Sequence, residues 1–156
     1  MRIKFNKEFE FLIKKFFFSE KYLLKKRLER AIKKNYENEL KILDKIINRN
    51  LESVDVGVYR GVYSYKMSQI SKHVHSIEPN PLIYPYLKKN LKKIIKNISL
   101  YNIAASNNKG FAKLKIPKRF ITLNKSNYEE MYRLGASTIH KKNNLNNDAF
   151  ISKKIK

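Results

Sequence analysis

The chain has no cysteine and no tryptophan, only four glycines and four prolines, and just 13 acidic residues against 35 basic ones in 156 positions. Without cysteine there is neither a disulfide nor a thiolate metal site, which accords with a reducing cytoplasm as the expected compartment. No apolar run is long enough to span a bilayer, because Lys14 and Lys15 interrupt the stretch from Phe9 to Phe18. Basic residues are spread throughout and no small-residue cleavage site follows the first apolar stretch, so no secretory signal is expected. Histidine is scarce too. His73 and His75 flank Val74 and share one face of an expected strand, a spacing that chance supplies more readily than a metal pair, and His140 stands alone. No metal site is expected.

The shortage of acids leaves a net charge of +22, which would attract phosphate and release counterions from a nucleic acid. The kind of base argues against that partner. Lysine supplies 28 of the basic residues and arginine 7, whereas guanidinium is the better fork for phosphates and guanine edges. Asparagine, at 17, and isoleucine are abundant as well, which is the excess an A/T-rich coding sequence produces. No RNA-binding motif is visible, and the aromatics form no base-stacking platform.

Two of the four glycines stand at the centre of the most informative stretch, Val54-Asp55-Val56-Gly57-Val58-Tyr59-Arg60-Gly61-Val62-Tyr63-Ser64, which Ile77-Glu78-Pro79-Asn80-Pro81 follows. An apolar run ending in Asp-x-Gly, with an acid closing a second apolar run, describes one β-α-β nucleotide-binding unit. Asp55 and Glu78 are 23 residues apart, room for a turn, a helix from Val62 to about Ser71, and a strand from His73 to Glu78. Gly57 and Glu78 then sit at the carboxyl ends of adjacent parallel strands, where open α/β sheets bind ligands. A carboxylate there can accept hydrogen bonds from both hydroxyls of a ribose. Gly57 and Gly61 let the backbone approach a ligand and turn into the helix, whose first N–H groups favour a carboxylate or phosphate.

What the loop lacks narrows the ligand. A dinucleotide fingerprint beginning at Gly57 needs glycine where Tyr59 and Val62 stand, and no Gly-x-x-x-x-Gly-Lys-Ser/Thr run exists for a triphosphate. A nucleoside with an amino-acid tail and no phosphate, S-adenosylmethionine, fits better.

At these residues the sequence resembles the FkbM family of S-adenosylmethionine-dependent methyltransferases. Its first motif, roughly Asp-x-Gly-Ala-Asn-x-Gly-x-Tyr-Ser, is matched at Asp55, Gly57, Gly61, Tyr63 and Ser64, with Val58 and Tyr59 replacing Ala and Asn. Its second, Glu-Pro-Asn-Pro, is matched in full by Glu78, Pro79, Asn80 and Pro81, and a similar helix follows from Tyr84 to Leu91. Its third resembles Asn97-Ile98 through Ala104-Ala105-Ser106, and Gly135-Ala136-Ser137 is similar to a weaker element. The resemblance spans about residues 38 to 140. It implies a Rossmann-like class I methyltransferase sheet in the α/β class, with S-adenosyl-L-methionine as cofactor and a hydroxyl of a sugar or glycan-like small molecule as acceptor. It places the methionine tail at Asp55 and the loop from Gly57 through Tyr59 to Gly61. Glu78 receives the ribose, and Pro79, Asn80, Ala104 and Ala105 surround the adenine. No catalytic base is identified. Residues 117–156 match nothing of the family's Ile-Lys-x-Asp-x-Glu-Gly strand. The expected sheet is therefore incomplete, as in a fragment, a truncated reading frame or a degenerate copy, with self-association through its exposed edge.

Residues 1–50 read as a basic helical extension, 51–116 as the cofactor-binding half, and 117–156 as a polar Lys/Asn-rich tail, partly disordered. Phe9, Leu12, Ile13, Phe16 and Phe17 recur at helical spacing, and packing is the preferred reading over an anionic membrane surface. Ile32, Tyr36, Leu40, Leu43 and Ile47 form a second apolar stripe, expected on one helix against the sheet. Pro85 belongs in the first turn of a helix running to about Lys93, Asn97 to Ala104 is a third strand, and Phe111 to Ile116 alternates as an exposed strand in a hairpin. The rival reading from another class is a basic module that binds RNA or a membrane surface without catalysis.

Overall fold

A computed structural model describes residues 16–34, 38–107, 109–117 and 150–156. Helix α1, Glu20–Lys33, starts at Ser19, whose side-chain oxygen accepts the Tyr22 amide at 3.2 Å, with Glu20 in its first turn and Arg30 and Lys33 in its last. These are the residues that satisfy free amides at a helix start and complement the dipole at both ends. Leu24 and Leu28, four apart, turn into the core. A 3-10 turn, Asn38–Lys41, and a short helix α2, Leu43–Ile46, follow. Of the apolar stripe, Ile32, Leu40 and Leu43 thus fall on three segments and not on one helix, Ile47 follows α2 and Tyr36 lies outside the described residues; Leu40 and Leu43 are buried as expected. Each segment contributes inward positions because burial selects spacing locally; it does not require continuity.

Three parallel strands form the sheet in the order β1 (Glu52–Val56), β2 (His73–Ile77) and β3 (Ile98–Tyr101). Asp55 stands opposite Ser76, and His75 is paired with Val54 on one side and Ser99 on the other. Helix α3, Val62–Ser68, connects β1 to β2, and α4, Tyr84–Asn90, connects β2 to β3 with Pro85 in its first turn. Both crossovers run in the same sense, so both helices lie on one face, the arrangement that a Rossmann-like unit requires. Asp55, Val74, Ser76, Ile98 and Leu100 point under them and are buried. At the opposite end of the sheet the Asn97 amide donates to the carbonyls of Ser68, Ser71 and Lys72, closing the end of α3 onto the start of β3.

Two expectations fail on the carboxyl-terminal side. Strand β4, Ala112–Pro117, does not form a hairpin with β3; it pairs antiparallel with β5, Phe150–Ile155, in a separate two-stranded sheet. The region read as a polar tail therefore ends in a strand, whose Ile155 stands opposite Ala112 and joins Leu114 and Ile116 on one buried face of the two-stranded sheet. All three are buried in the same cluster as Leu24, Leu28, Val74, Leu87 and Leu91. The mobility expected for Lys141 to Asn147 falls outside the described residues. On the amino-terminal side, Phe16 and Phe17 are exposed and not packed on the domain, since the chain breaks at Phe18 before the Ser19 cap. Phe9, Leu12 and Ile13 lie outside the described residues. Among the described residues, no helix is long and apolar enough to cross a membrane.

The burial of β5 is open to test. Ile155→Ala should lower stability by about 2–4 kcal/mol through lost burial and a cavity, whereas Lys153→Ala, exposed on the same strand, should stay within about 0.5 kcal/mol. Urea unfolding that shows both substitutions to be neutral would detach β5 from the core.

Candidate functional site

The site is built where β1 and β2 end. The Gly57 and Val58 amides both donate to the Ile77 carbonyl, at 2.8 and 3.3 Å, so the chain leaving β1 turns across the end of β2. Gly57, Tyr59 and Gly61 have φ of +89°, +49° and +78°. Glycine adopts this region without penalty, whereas Tyr59 holds it at a cost of about 1–2 kcal/mol. The two glycines differ in what surrounds them. A Cβ at Gly57 would meet nothing within 4 Å, but one at Gly61 would lie 2.7 Å from Leu91 Cδ1. Gly57 therefore faces open space where a ligand can approach, and Gly61 is small because the turn rests on Leu91.

Glu78 follows the last residue of β2 and is buried. Its Oε2 accepts the Tyr59 amide and its Oε1 the Asn80 amide, each at 2.8 Å. Its own amide donates to the Tyr101 carbonyl, and its carbonyl accepts the Asn102 side chain at 2.7 Å. The residue expected to hold a ligand is also the tie between the β1–α3 loop and the turn after β2. Burial pushes its carboxyl above the usual range, opposed by the amides of Asn80 and Tyr59 and reinforced by the nearby Asp55 charge.

Asp55 faces the fold. Its Oδ2 accepts the Ser64 hydroxyl at 2.5 Å, and Ser64 and Ser76 hydroxyls are 2.8 Å apart, all three buried. Burial pushes the Asp55 carboxyl up, and the hydroxyl and backbone amide of Ser64 pull it back. The carboxylate holds the first turn of α3 against β1 and positions the loop from beneath. Ser64 and Ser76 had no role assigned from sequence. The available signals were the place of Ser64 at the end of the first motif and, for Ser76, a serine in an apolar strand two residues before Glu78.

The remaining residues divide. Asn80 is fully enclosed, and its side-chain oxygen accepts the Leu82 amide at 2.9 Å while its carbonyl accepts those of Ile83 and Tyr84, so it shapes the turn into α4. Pro79 is half-buried beside it, Ala104 is half-buried and Ala105 exposed. The Ala104 amide donates to the Lys156 carbonyl at 2.6 Å, which brings the end of β5 to this edge of the site.

On the other face of the sheet, His75 Nε2 lies 2.7 Å from Glu52 Oε2 and its Nδ1 3.0 Å from the Tyr101 hydroxyl, while His73 Nε2 is 2.9 Å from Ser99 Oγ. The two histidines share a face as expected, with ring centroids 5.0 Å apart. Among the described residues, no group of three or more histidine, cysteine or acidic side chains is placed to hold a metal. No family model, curated protein or solved structure matches the chain.

Two measurements check these assignments. Gly57→Ala should cost about 1–2 kcal/mol, the left-handed backbone penalty alone, and Gly61→Ala a further 1–3 kcal/mol or so from overlap with Leu91; equal losses in urea unfolding would contradict the packing role of Gly61. The second measurement follows pH. Folded Asp55 binds its proton more tightly than the unfolded chain does, so its contribution is complete below the usual carboxylate value near pH 4 and is lost as pH rises through the raised folded value. Asp55→Asn has no such loss. Its stability relative to wild type should therefore improve between about pH 4 and pH 8; a flat difference would contradict the burial-raised carboxyl.

Proposed function

We propose that the chain binds S-adenosyl-L-methionine across the carboxyl ends of β1 and β2, as part of an FkbM-type, Rossmann-like class I methyltransferase acting on a hydroxyl of a sugar or glycan-like small molecule. The observation that carries this reading is Glu78, a buried carboxylate at the end of β2, tied to a glycine turn that faces open space. Each of its oxygens has accepted one backbone amide and retains a second lone pair that can accept a ribose hydroxyl. The left-handed Tyr59 supports the reading independently. The family has Asn at this position, a residue that visits that conformation more readily than others, so the loop has the shape the family motif favours.

Residue roles follow from what each side chain is already doing. Gly57 leaves room for the amino-acid tail, and Glu78 accepts the ribose hydroxyls. Pro79, Ala104 and Ala105 offer small surfaces to the adenine, while Asp55 and Asn80 position the two loops. When bound, the cofactor supplies an activated methyl group. The protein's part would be to align an acceptor oxygen with that methyl and take up the hydroxyl proton; no residue is assigned to that last step.

Isothermal titration with S-adenosylhomocysteine tests the proposal. Wild type should bind saturably with little dependence on salt, and Glu78→Gln should bind about ten- to a hundredfold more weakly, as charge-assisted bonds of roughly 1.5–3 kcal/mol are lost. Because Glu78 also holds two backbone amides, the variant's melting is followed alongside. Equal affinity in a folded Glu78→Gln would remove the ribose assignment. Absence of nucleoside binding, with steeply salt-dependent binding of a generic RNA, would replace the enzyme reading by the basic-module one.

A further inference from the structure

Helix α1 turns Leu24 and Leu28 into the core and sets another face toward solvent. Tyr22, Lys25, Lys26 and Lys33 follow the helical repeat along one side, and all four are exposed, with Lys21 and Arg30 exposed beside them. The acids of α1 are Glu20 and Glu29. Lys25 and Lys26 share Glu29, at 3.9 and 3.2 Å, so the face keeps an excess of positive charge. An aromatic tip stands at the start of this face. Phe16 and Phe17 meet edge to face with ring centroids 5.3 Å apart, and they are 86 % and 70 % exposed. Phe18 stacks on Tyr22 with centroids 4.9 Å apart, and Lys26 Nζ lies 5.8 Å from the centre of the Tyr22 ring. Tyr22 therefore joins the tip to the basic face.

Rings clustered in water at one end of a cationic face call for a partner that is apolar and anionic together. An acidic protein would have to supply a pocket for the rings and carboxylates in register with the lysines. An anionic bilayer offers both over a continuous surface: the acyl boundary takes the rings, and headgroup phosphates meet ammonium groups carried on flexible stems. Tyr22, an apolar ring ending in a hydroxyl, suits the level between the two. We infer that Phe16, Phe17, Phe18 and Tyr22, with Lys21, Lys25 and Lys26, form a peripheral docking surface for an anionic lipid bilayer. The contact is interfacial, since among the described residues no helix is long and apolar enough to cross the bilayer. It is independent of the nucleoside reading above.

The full chain is mixed with vesicles of phosphatidylcholine, alone or with about a third phosphatidylserine, at about 0.15 M salt, and recovered by flotation. Wild type should float with the anionic vesicles and stay behind with the neutral ones. Phe16→Ser combined with Phe17→Ser should weaken binding to anionic vesicles about tenfold or more, and Lys25→Gln combined with Lys26→Gln about ten- to thirtyfold. Lys113→Gln combined with Lys154→Gln removes the same charge from a cross-strand pair on β4 and β5 and should change the affinity less than about threefold. All these positions are exposed, so the variants should melt with wild type. Phe17→Trp gives the chain its one tryptophan. Its emission should move to the blue on adding anionic vesicles and be quenched by brominated acyl chains. The inference is overturned if wild type fails to float with anionic vesicles, if the Lys113 and Lys154 variant loses as much affinity as the Lys25 and Lys26 variant, or if vesicle-bound Phe17→Trp keeps its emission unchanged. Emission already blue before vesicles are added would assign the rings to a cover within the chain or to a second copy, and would overturn it as well.

Discussion

The carboxylate of Glu78 holds the carboxyl end of this sheet together. Its two oxygens accept amides from Tyr59 and Asn80, while its own backbone engages Tyr101 and Asn102. Four segments therefore meet at one residue: the loop after β1, the turn after β2, the end of β3 and the segment that follows β3. Burying a carboxylate is unfavourable, and the charge-assisted amide bonds offset that cost at roughly 1.5–3 kcal/mol each. The same constraint explains how Tyr59 persists in a left-handed conformation, since its amide is anchored to a buried acceptor and its ring packs against the core.

Below this tie the interior changes character across the sheet. Under β3 the inward residues are Ile98 and Leu100, and under β2 Val74 is followed by Ser76; at β1 the inward residue is Asp55. The hydroxyls of Ser64 and Ser76 complete a polar patch between β1 and α3 where an apolar core would otherwise continue. Such a network specifies geometry at some expense of stability. Its position matters. The patch lies directly beneath the loop that Gly57 opens, so the first turn of α3 is held by directional bonds at the place where that loop enters the helix.

Local motifs were legible in the sequence because they encode local backbone geometry. Asp55-x-Gly57 and Glu78-Pro79-Asn80-Pro81 announce turns at strand ends, and both turns lie there. The separate tasks of Gly57 and Gly61 were not legible, since Gly61 answers to Leu91, thirty residues further on. Asp55 was expected to face a ligand because the resembling family places the cofactor's tail there; whether it turns outward or inward depends on Ser64, a motif residue with no role assigned to it, and on Ser76, which stands outside the motifs. The division of the stripe from Ile32 to Ile47 was hidden for a related reason. Apolar spacing records which side chains face inward and is silent on whether one helix or three segments deliver them. For β5, a short run rich in lysine reads as solvated until its partner β4 is known, because only the pairing turns Ile155 toward Leu114 and the core.

The two faces of the sheet meet their requirements by different physics. Parallel sheets are ordinarily covered on both sides, and among the described residues the helices and the core cover one. On the other, polar groups are satisfied laterally: Glu52, His75 and Tyr101 form a chain of contacts that runs across all three strands, and His73 adds Ser99. That network spans the strands in the direction of the ladder, so the outer face gains cross-strand contacts from its own side chains. Val54 and Val56, 57 % and 61 % exposed, are its apolar remainder at the β1 edge. The carboxyl end of the sheet takes its order from the inner face, through Asp55, Ser64 and Glu78, and none of those groups bonds to the outer network in the contacts above. The sheet thus separates the two tasks, with the lateral network bracing the strands and the buried carboxylates shaping the loops above them.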